Sequence, residues 1–295
     1  MSNRNWSAYN ESLIERGRIL IDIGFIKSYK RELAMMNNKK VGRPFLYPHS
    51  YVQFLAFLKI GFSISYRTVQ GIVRGLAEYI KVDEIHFTQL RRRIKKMCTS
   101  VSHIYNNEGK STINLGVDAS GLVISKRGNY IEDRWKKERR EYIKLHIAVD
   151  TKSKQIISFR VTKGTVHDTK KFVPMIKEIS KHNEITKVYA DKAYDCTTNF
   201  NLLDKLHIEP VISIRKNANG RTRKCKSRNE QVHLIQKIGY EKYKELKNTG
   251  QRWIAEVVFS SLKRVLGEHL LSRKFSMQKA ETTLKIILYN KFISL

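Results

Sequence analysis

Acidic residues are scarce in this 295-residue chain. Its 27 Asp and Glu stand against 57 Lys and Arg, for a formal net charge of +30 and a pI of about 10.1. That excess does not fit a typical cytosolic metabolic enzyme. It points to a polyanionic partner, because cationic side chains gain by displacing the counterions condensed on phosphates. Cysteine is sparse too. Cys98, Cys196 and Cys225 lie far apart with no Cys-x-x-Cys pair, which excludes a zinc knuckle and a disulfide framework and fits a reducing interior. Long apolar runs are missing: the most apolar window, Tyr51 to Ser65, is broken by Gln53 and Lys59 and is too short to span a bilayer. The opening Met-Ser-Asn-Arg-Asn-Trp lacks the apolar core of a signal peptide. A membrane partner is therefore not expected, and nucleic acid is.

What is present is enough to fold. The chain is 41% hydrophobic and 10% aromatic, which supports a real core, and its length suits about two domains. No internal repeat or low-complexity tract interrupts it. The first hundred or so residues read as helical. Leu13, Ile14, Ile19, Leu20 and Ile23 recur at helical spacing, and a helix is expected over Pro48 to Ile60. After a turn at Gly61 to Ile64, Ser65 is placed to cap a helix over Tyr66 to Ile80, and Thr88 to cap one carrying Arg91, Arg92, Arg93, Lys95 and Lys96. Helix, short turn, helix and a basic helix match what a helix-turn-helix DNA reader needs. A plain bundle with a solvated basic face is the alternative.

The texture changes near residue 112. Ile113 to Asp118 reads as a strand, and Ile143 to Val149 and Ile156 to Val161 as a hairpin about the polar turn Asp150 to Lys154. Helix over Phe172 to Ile179, strand over Lys187 to Ala190, helix over Asn199 to Leu206 and strand over Pro210 to Ile214 follow, which predicts an α/β mixed sheet. Late helices are expected over Gly250 to Leu266 and Met277 to Tyr289. The expected domains are 1–108, all-α and helix-turn-helix-like, and 109–295, α/β, with a basic insertion at about 215–249. That insertion opens with Arg215, Lys216, Arg221, Arg223, Lys224, Lys226 and Arg228 and no carboxylate among them. It reads as a loop able to hold DNA phosphates, or as a surface insertion only.

Three carboxylates sit where chemistry would want them. Asp118 closes the first expected strand, Asp191 closes the fourth, and Glu256 lies within the late helix. Strand ends of an open α/β sheet converge on the ligand crevice. Two Asp there and a Glu from a neighbouring helix form an oxygen-only set suited to Mg²⁺ or Mn²⁺, and two such ions can promote phosphodiester cleavage. On the helix, Arg252 lies about 40° and Lys263 about 20° from Glu256, so all three share one face. Ile254, Val258, Leu262 and Val265 form the opposite, buried stripe. An ordinary i, i+4 Arg–Glu surface pair explains the same residues.

Arg252-x3-Glu256-x6-Lys263 has the spacing of the C-terminal signature of insertion-sequence transposases of the IS-four and IS-five groups. Val117-Asp118-Ala119-Ser120 resembles their first acidic motif, Ala190-Asp191-Lys192-Ala193-Tyr194-Asp195 the second, and His167-Asp168-Thr169 a further recurring element. Tyr66-Arg67-Thr68-Val69 and Thr88-Gln89-Leu90-Arg91-Arg92 are similar to the family's N-terminal region, so the resemblance, closest to the IS-five family, covers nearly the whole chain. One departure is Thr249, where the signature usually has a tyrosine handling DNA ends. The resemblance implies an RNase H-like core with Asp118, Asp191 and Glu256 as the metal-holding triad. It also implies hydrolysis at transposon ends, direct attack of the freed 3′-hydroxyls on target DNA, and DNA contact by Arg252 and Lys263. Double-stranded DNA, a homodimer on that DNA and a cytoplasmic, nucleoid-associated place of action follow from the same resemblance. Another metal-dependent endonuclease on that core and a non-cutting DNA-binding repressor are the alternatives.

Further candidates read two ways. Asp195 is a supporting acid or a helix cap. His167 approaches a phosphate or merely precedes a helix capped by Asp168. Trp135, amid a basic run, stacks on an unpaired base or packs on the sheet. Ser120 is polar support and not a nucleophile, since no histidine base lies nearby in sequence. Arg91, Arg92, Arg93, Arg221, Arg223 and Lys224 are the remaining candidates for DNA contact.

Overall fold

A computed structural model describes residues 5–99, 101, 111–124, 142–215, 218–221 and 224–295. They form two compact units, one of Met1–Val101 with Leu270–Leu295 and the other of Ser102–His269. The second boundary differs from the expected division, because the last helix groups with the N-terminal helices and not with the sheet.

The first unit is helical among its described residues: α1 Trp6–Leu20, α2 Phe25–Asn37, α3 His49–Gly61, α4 Tyr66–Ala77, α5 Phe87–Thr99 and, from the C-terminus, Phe275–Ile293. Helix α3 is its axis. Tyr51, Val52 and every residue from Phe54 to Ile60 are buried, so beyond its first turn little of it meets solvent. Ser65 caps α4 as expected, its hydroxyl accepting from the Thr68 N–H at 3.1 Å. Helix α5 starts at Phe87, one residue before the expected cap Thr88, and packs on Leu90 and Ile94, both fully buried. The C-terminal helix runs longer at both ends than its expected span.

The second unit is α/β with a mixed sheet. Its strands are β1 Thr112–Ile124, β2 Tyr142–Asp150, β3 Ile156–Lys163, β4 Glu184–Ala190 and β5 Glu209–Ile212, in the order β3-β2-β1-β4-β5, with a short β6 at His269–Leu270 beside β1. Strands β1, β2 and β3 are antiparallel neighbours, while β1–β4 and β4–β5 are parallel. The hairpin turn is local chemistry: Asp150 accepts the N–H groups of Lys152 and Ser153 at 3.2 and 3.0 Å. Parallel pairing of β1 with β4 needs a crossover, and α6, Thr169–Ile179, supplies its helix. Helix α7, Thr197–Lys205, makes the next crossover. Leu115, Val117, Val188 and Ala190 from the sheet and Phe172, Ile176, Phe200 and Leu203 from α6 and α7 form one core.

Three expectations are corrected. Strand β1 does not stop at Asp118 but runs on to Ile124, because its pairing with β2 continues from Leu115 to Val123. Residues 215–249 are not simply a loop. They include α8, Lys226–Ile238, and α9, Tyr240–Lys247, which bury Gln231, Val232 and Tyr243. The Gln231 amide donates to the Pro210 carbonyl at 2.9 Å and so ties α8 to β5. A 3-10 turn over Thr249–Arg252 leads into α10, Trp253–Leu266, where one helix from Gly250 was expected.

Strand β2 is buried nearly throughout, and this includes His146, only 1% exposed, with Nε2 2.9 Å from the Thr162 hydroxyl. Burial pushes its imidazole down to about 4, against the pull of Asp168. The neutral form is thus favoured in the fold. Stability present above the unfolded value near 6.5 is lost as pH falls toward 4, by up to about 3 kcal/mol. Urea unfolding at successive pH values should show that slope in the native chain, and His146→Gln should flatten it. An unchanged slope in the variant would assign the effect to other groups.

Candidate functional site

The backbone pairing brings the two aspartates together. Val117 opposite Ala190 is the last pair of the parallel β1–β4 ladder, so Asp118 and Asp191 follow it side by side. Side chains alternate across a sheet. Val117 and Ala190 face the α6/α7 core, which sends Asp118 and Asp191 to the other face. Helix α10 lies on that face: the Ala255 methyl is 3.6 Å from where a Cβ on Gly116 would stand. Glu256, the next residue, is within electrostatic reach of Asp118.

Each carboxylate has a local partner. The Ala119 N–H donates to Asp118 Oδ1 at 2.8 Å, and the Ala193 N–H donates to Asp191 Oδ1 at 2.7 Å, capping the 3-10 turn Lys192–Tyr194. Arg252 Nη1 donates to Glu256 Oε1 at 3.0 Å in a pair exposed at both ends. The ordinary i, i+4 surface pair is therefore present. Burial first, and then the negative charges of Asp191 and Glu256, push Asp118 up to about 6, while the Ala119 N–H and Arg252 oppose the shift. Among the described residues, no three carboxylate, imidazole or thiol groups converge on one point. The donor chemistry still fits a hard divalent cation: all three candidates offer carboxylate oxygens, and a cation would relieve the repulsion that Asp191 and Glu256 exert on Asp118.

The other expected residues fall into distinct places. Ser120 is half-buried two positions past Asp118 on β1. Lys263 is half-buried on α10, near its C-terminus. His167 is exposed, with Nδ1 2.9 Å from the Thr169 hydroxyl. Asp168 pairs with Lys144 at 3.0 Å and makes no capping bond to α6. Asp195 is no helix N-cap either, since Cys196 holds that place before α7. Its fully buried carboxylate takes Arg228 Nε at 2.6 Å and Nη2 at 3.0 Å and also accepts the Arg215 N–H at 3.1 Å. Arg228 is thus a structural cation of the insertion. Arg221 and Lys224 are exposed, and Arg223 and Trp135 lie outside the described residues. In the helical unit, Arg91 and Arg92 are exposed on α5, while Arg93 donates to the Tyr47 carbonyl at 3.0 Å and lies over Phe45 at 4.7 Å.

Sequence reasoning missed the cavity beside Asp191. It measures about 1110 Å³, and His167, Lys192, Ile214, Arg215, Tyr240 and Arg252 are among its walls. Helices α8 and α9 build its far side, and reading 215–249 as a loop hid them. Tyr194 was missed too. It is 1% exposed, its hydroxyl has no hydrogen-bond partner among the described residues, and burial together with Asp118, Asp168 and Asp191 drives its pKa far up. A tyrosine inside the second acidic motif was the available signal.

The sequence model of the family described as "Transposase DDE domain" matches residues 115–291, more than half of the chain, and a second model with the same description matches residues 14–127. The chain belongs to the DDE-domain transposases. Among solved structures, the chain aligns with a piggyBac transposase synaptic complex with hairpin DNA at 14% identity and a TM-score of 0.43, covering 95% of this chain and 74% of that one. It also aligns with a simian T-cell lymphotropic virus intasome in complex with PP2A regulatory subunit B56 gamma at 12% identity and a TM-score of 0.27, covering 70% and 67% respectively. At those scores, the family assignment rests on the sequence match. No helix among the described residues is long and apolar enough to cross a membrane.

The Asp195–Arg228 pair sets an expectation for stability. Asp195→Asn leaves a mostly buried guanidinium without its charge partner and should cost about 3–5 kcal/mol, whereas Asp195→Leu with Arg228→Met should recover most of that loss. Urea titration of both variants measures it. A cost below about 1 kcal/mol for Asp195→Asn would show that solvent already screens the pair.

Proposed function

We propose that the protein is an insertion-sequence transposase of the IS-five type, which cleaves DNA at its element's ends and joins the freed 3′-hydroxyls to target DNA. Asp118, Asp191 and Glu256 are its acidic triad, and an RNase H-like core carries them. The carrying observation is the adjacency of Asp118 and Asp191 past the last β1–β4 pair, with Glu256 close enough to raise Asp118. The Arg252, Glu256 and Lys263 spacing supports the IS-five assignment, with Thr249 as its departure.

In this reading the triad would hold two Mg²⁺ or Mn²⁺ ions, in keeping with its oxygen-only donors. When bound, such ions supply Lewis acidity to the phosphodiester and lower the pKa of water. The chain's own residues do the positioning. Asp118 and Asp191 are positioned by the sheet, and Glu256, now paired with Arg252, would complete the set with them. Arg252 would then meet a DNA phosphate, with Lys263 as a further contact. Lys192, Arg215 and His167 line the cavity at Asp191 and there hold and orient the strand being cut. Water and then a DNA hydroxyl are the nucleophiles, so Ser120 supports the site without attacking. The N-terminal helices read the element ends, with Arg91 and Arg92 on the exposed face of α5. Arg221, Lys224 and Arg223 add phosphate contacts, and two copies act together on paired ends wherever the DNA is.

The test uses the gene with its flanking DNA as donor, purified protein and Mg²⁺, and maps every end formed. Discrete cuts at flanking inverted repeats are expected. Asp118→Asn, Asp191→Asn and Glu256→Gln should each lower cleavage by at least about a hundredfold, since each removes several kcal/mol of charge stabilisation, and should leave DNA binding largely intact. Amide variants that cut at the wild-type rate would sink the assignment. Scattered cutting would favour a plain nuclease, and tight binding without cutting a repressor.

A further inference from the structure

The helical unit contains a buried lysine whose ammonium makes no hydrogen bond among the described residues. It is Lys59 on α3, 3% exposed, and Glu281 on the C-terminal helix α11, Phe275–Ile293, 4% exposed, is the carboxylate beside it. Glu281 is already engaged: its two oxygens accept the N–H groups of Leu271 and Ser272 at 3.0 Å each. Lys59 Nζ stands 3.9 Å from Glu281 and 5.1 Å from the Tyr66 ring centroid. It makes no hydrogen bond among the described residues. A buried ammonium with unused donors is costly, and it persists where something in the working molecule satisfies it.

A cavity of about 490 Å³ reaches Lys59. Arg67, Arg91, Arg273 and Lys274 stand around it with the hydroxyl-bearing Ser65 and Ser272, and no lining residue is acidic. Two helix N-termini border it as well. Ser65 caps α4, and Lys274 precedes α11, which has no side-chain cap. Both ends present positive partial charge where an anion would lie. The cavity wall is built in place: Gln278 donates to the carbonyls of Ser272 and Arg273 at 3.1 Å each, so α11 holds the loop that carries the rim cations.

We infer that this pocket is a phosphate site of the helical unit, in which Lys59, at the floor, and the cations at the rim grip one backbone phosphodiester of the DNA. The inference rests on the reading of the protein as a DNA-binding transposase and adds a contact that adjoins the α5 surface through Arg91 and is separate from the acidic triad. A buried ammonium fixes the register of the duplex, since a phosphate seated there cannot slide as it can over exposed lysines.

The test measures binding of the full chain to a short duplex across a salt series, in EDTA so that no cutting intervenes. Lys59→Met should weaken binding by about tenfold, the loss of one charge-assisted contact, and lower the slope of log affinity against log salt by about one. Arg273→Gln with Lys274→Gln, both at exposed positions, should lower that slope by about two and decides the matter if Lys59→Met does not fold. Inorganic phosphate at constant ionic strength should raise the melting temperature of the native chain more than that of Lys59→Met. Unchanged DNA affinity and slope in the folded variants would overturn the inference. Phosphate protection without any change in DNA binding would do the same, by assigning the pocket to a free anion. Cleavage, read separately against Asp191→Asn, distinguishes this from failure of the functional reading: loss of DNA affinity in Lys59→Met stands even if the native chain cuts nothing.

Discussion

The end of the β1–β4 ladder governs the candidate site. Backbone hydrogen bonds stop at Val117 and Ala190, and the next residue on each strand is an aspartate. The backbone at both positions is set by the central pair just before them, in a sheet whose other face is the main core of its unit. The neighbouring placement of the two residues is therefore imposed by the backbone, and the repulsion between their charges is met by whatever surrounds them. Two backbone N–H groups and Arg252 meet part of it, and Asp118 remains up at about 6. A fold that holds like charges together at a strand end is poised for a cation or for proton chemistry. The oxygen-only donors favour the first.

The cations separate into those the fold consumes and those it leaves for a partner. Arg228 is locked to Asp195, Lys144 to Asp168, and Arg93 to the Tyr47 carbonyl and the Phe45 ring. These would be poor DNA contacts, because each would have to abandon a buried or half-buried partner first. Arg91, Arg92, Arg221 and Lys224 are exposed and cost little to engage. Net charge alone cannot draw this distinction. It reports the attraction to a polyanion but not which residues are still available to feel it.

Elements whose signals are local were legible in the sequence. The Ser65 cap, the polar hairpin turn at Asp150 and the alternation of strand and helix after residue 163 all depend on neighbours in the chain, and the mixed sheet follows from their order. Features decided by distant partners were not. Strand β1 outruns Asp118 because β2 continues to pair with it, and the helices after Cys225 form because Gln231, Val232 and Tyr243 find burial on other elements. The C-terminal helix, expected with the sheet, groups with the N-terminal helices for the same reason. Asp195 illustrates the limit most sharply. Its motif marked it as interesting, but only the approach of Arg228, thirty-three positions later, shows that it anchors the insertion.

Glu256 differs in kind from the two aspartates, and that difference bears on how the site would work. Asp118 and Asp191 are placed by sheet pairing, whereas Glu256 projects from a helix and holds Arg252 in an exposed i, i+4 pair. Such pairs contribute only about 0.3–0.5 kcal/mol, so Glu256 can exchange Arg252 for another partner at little cost. Helix α10 itself stays put, because Ile254, Ala255, Val258 and Leu262 are buried beneath it. On the proposed reading Glu256 would be the third ligand, a side chain free to reorient on a fixed helix, and the Arg252 it gave up would be available to a phosphate. Two carboxylates placed by the sheet and one placed by a weak surface pair would then couple the metal site to the arrival of DNA, and the weakness of that pair is what would make the exchange cheap.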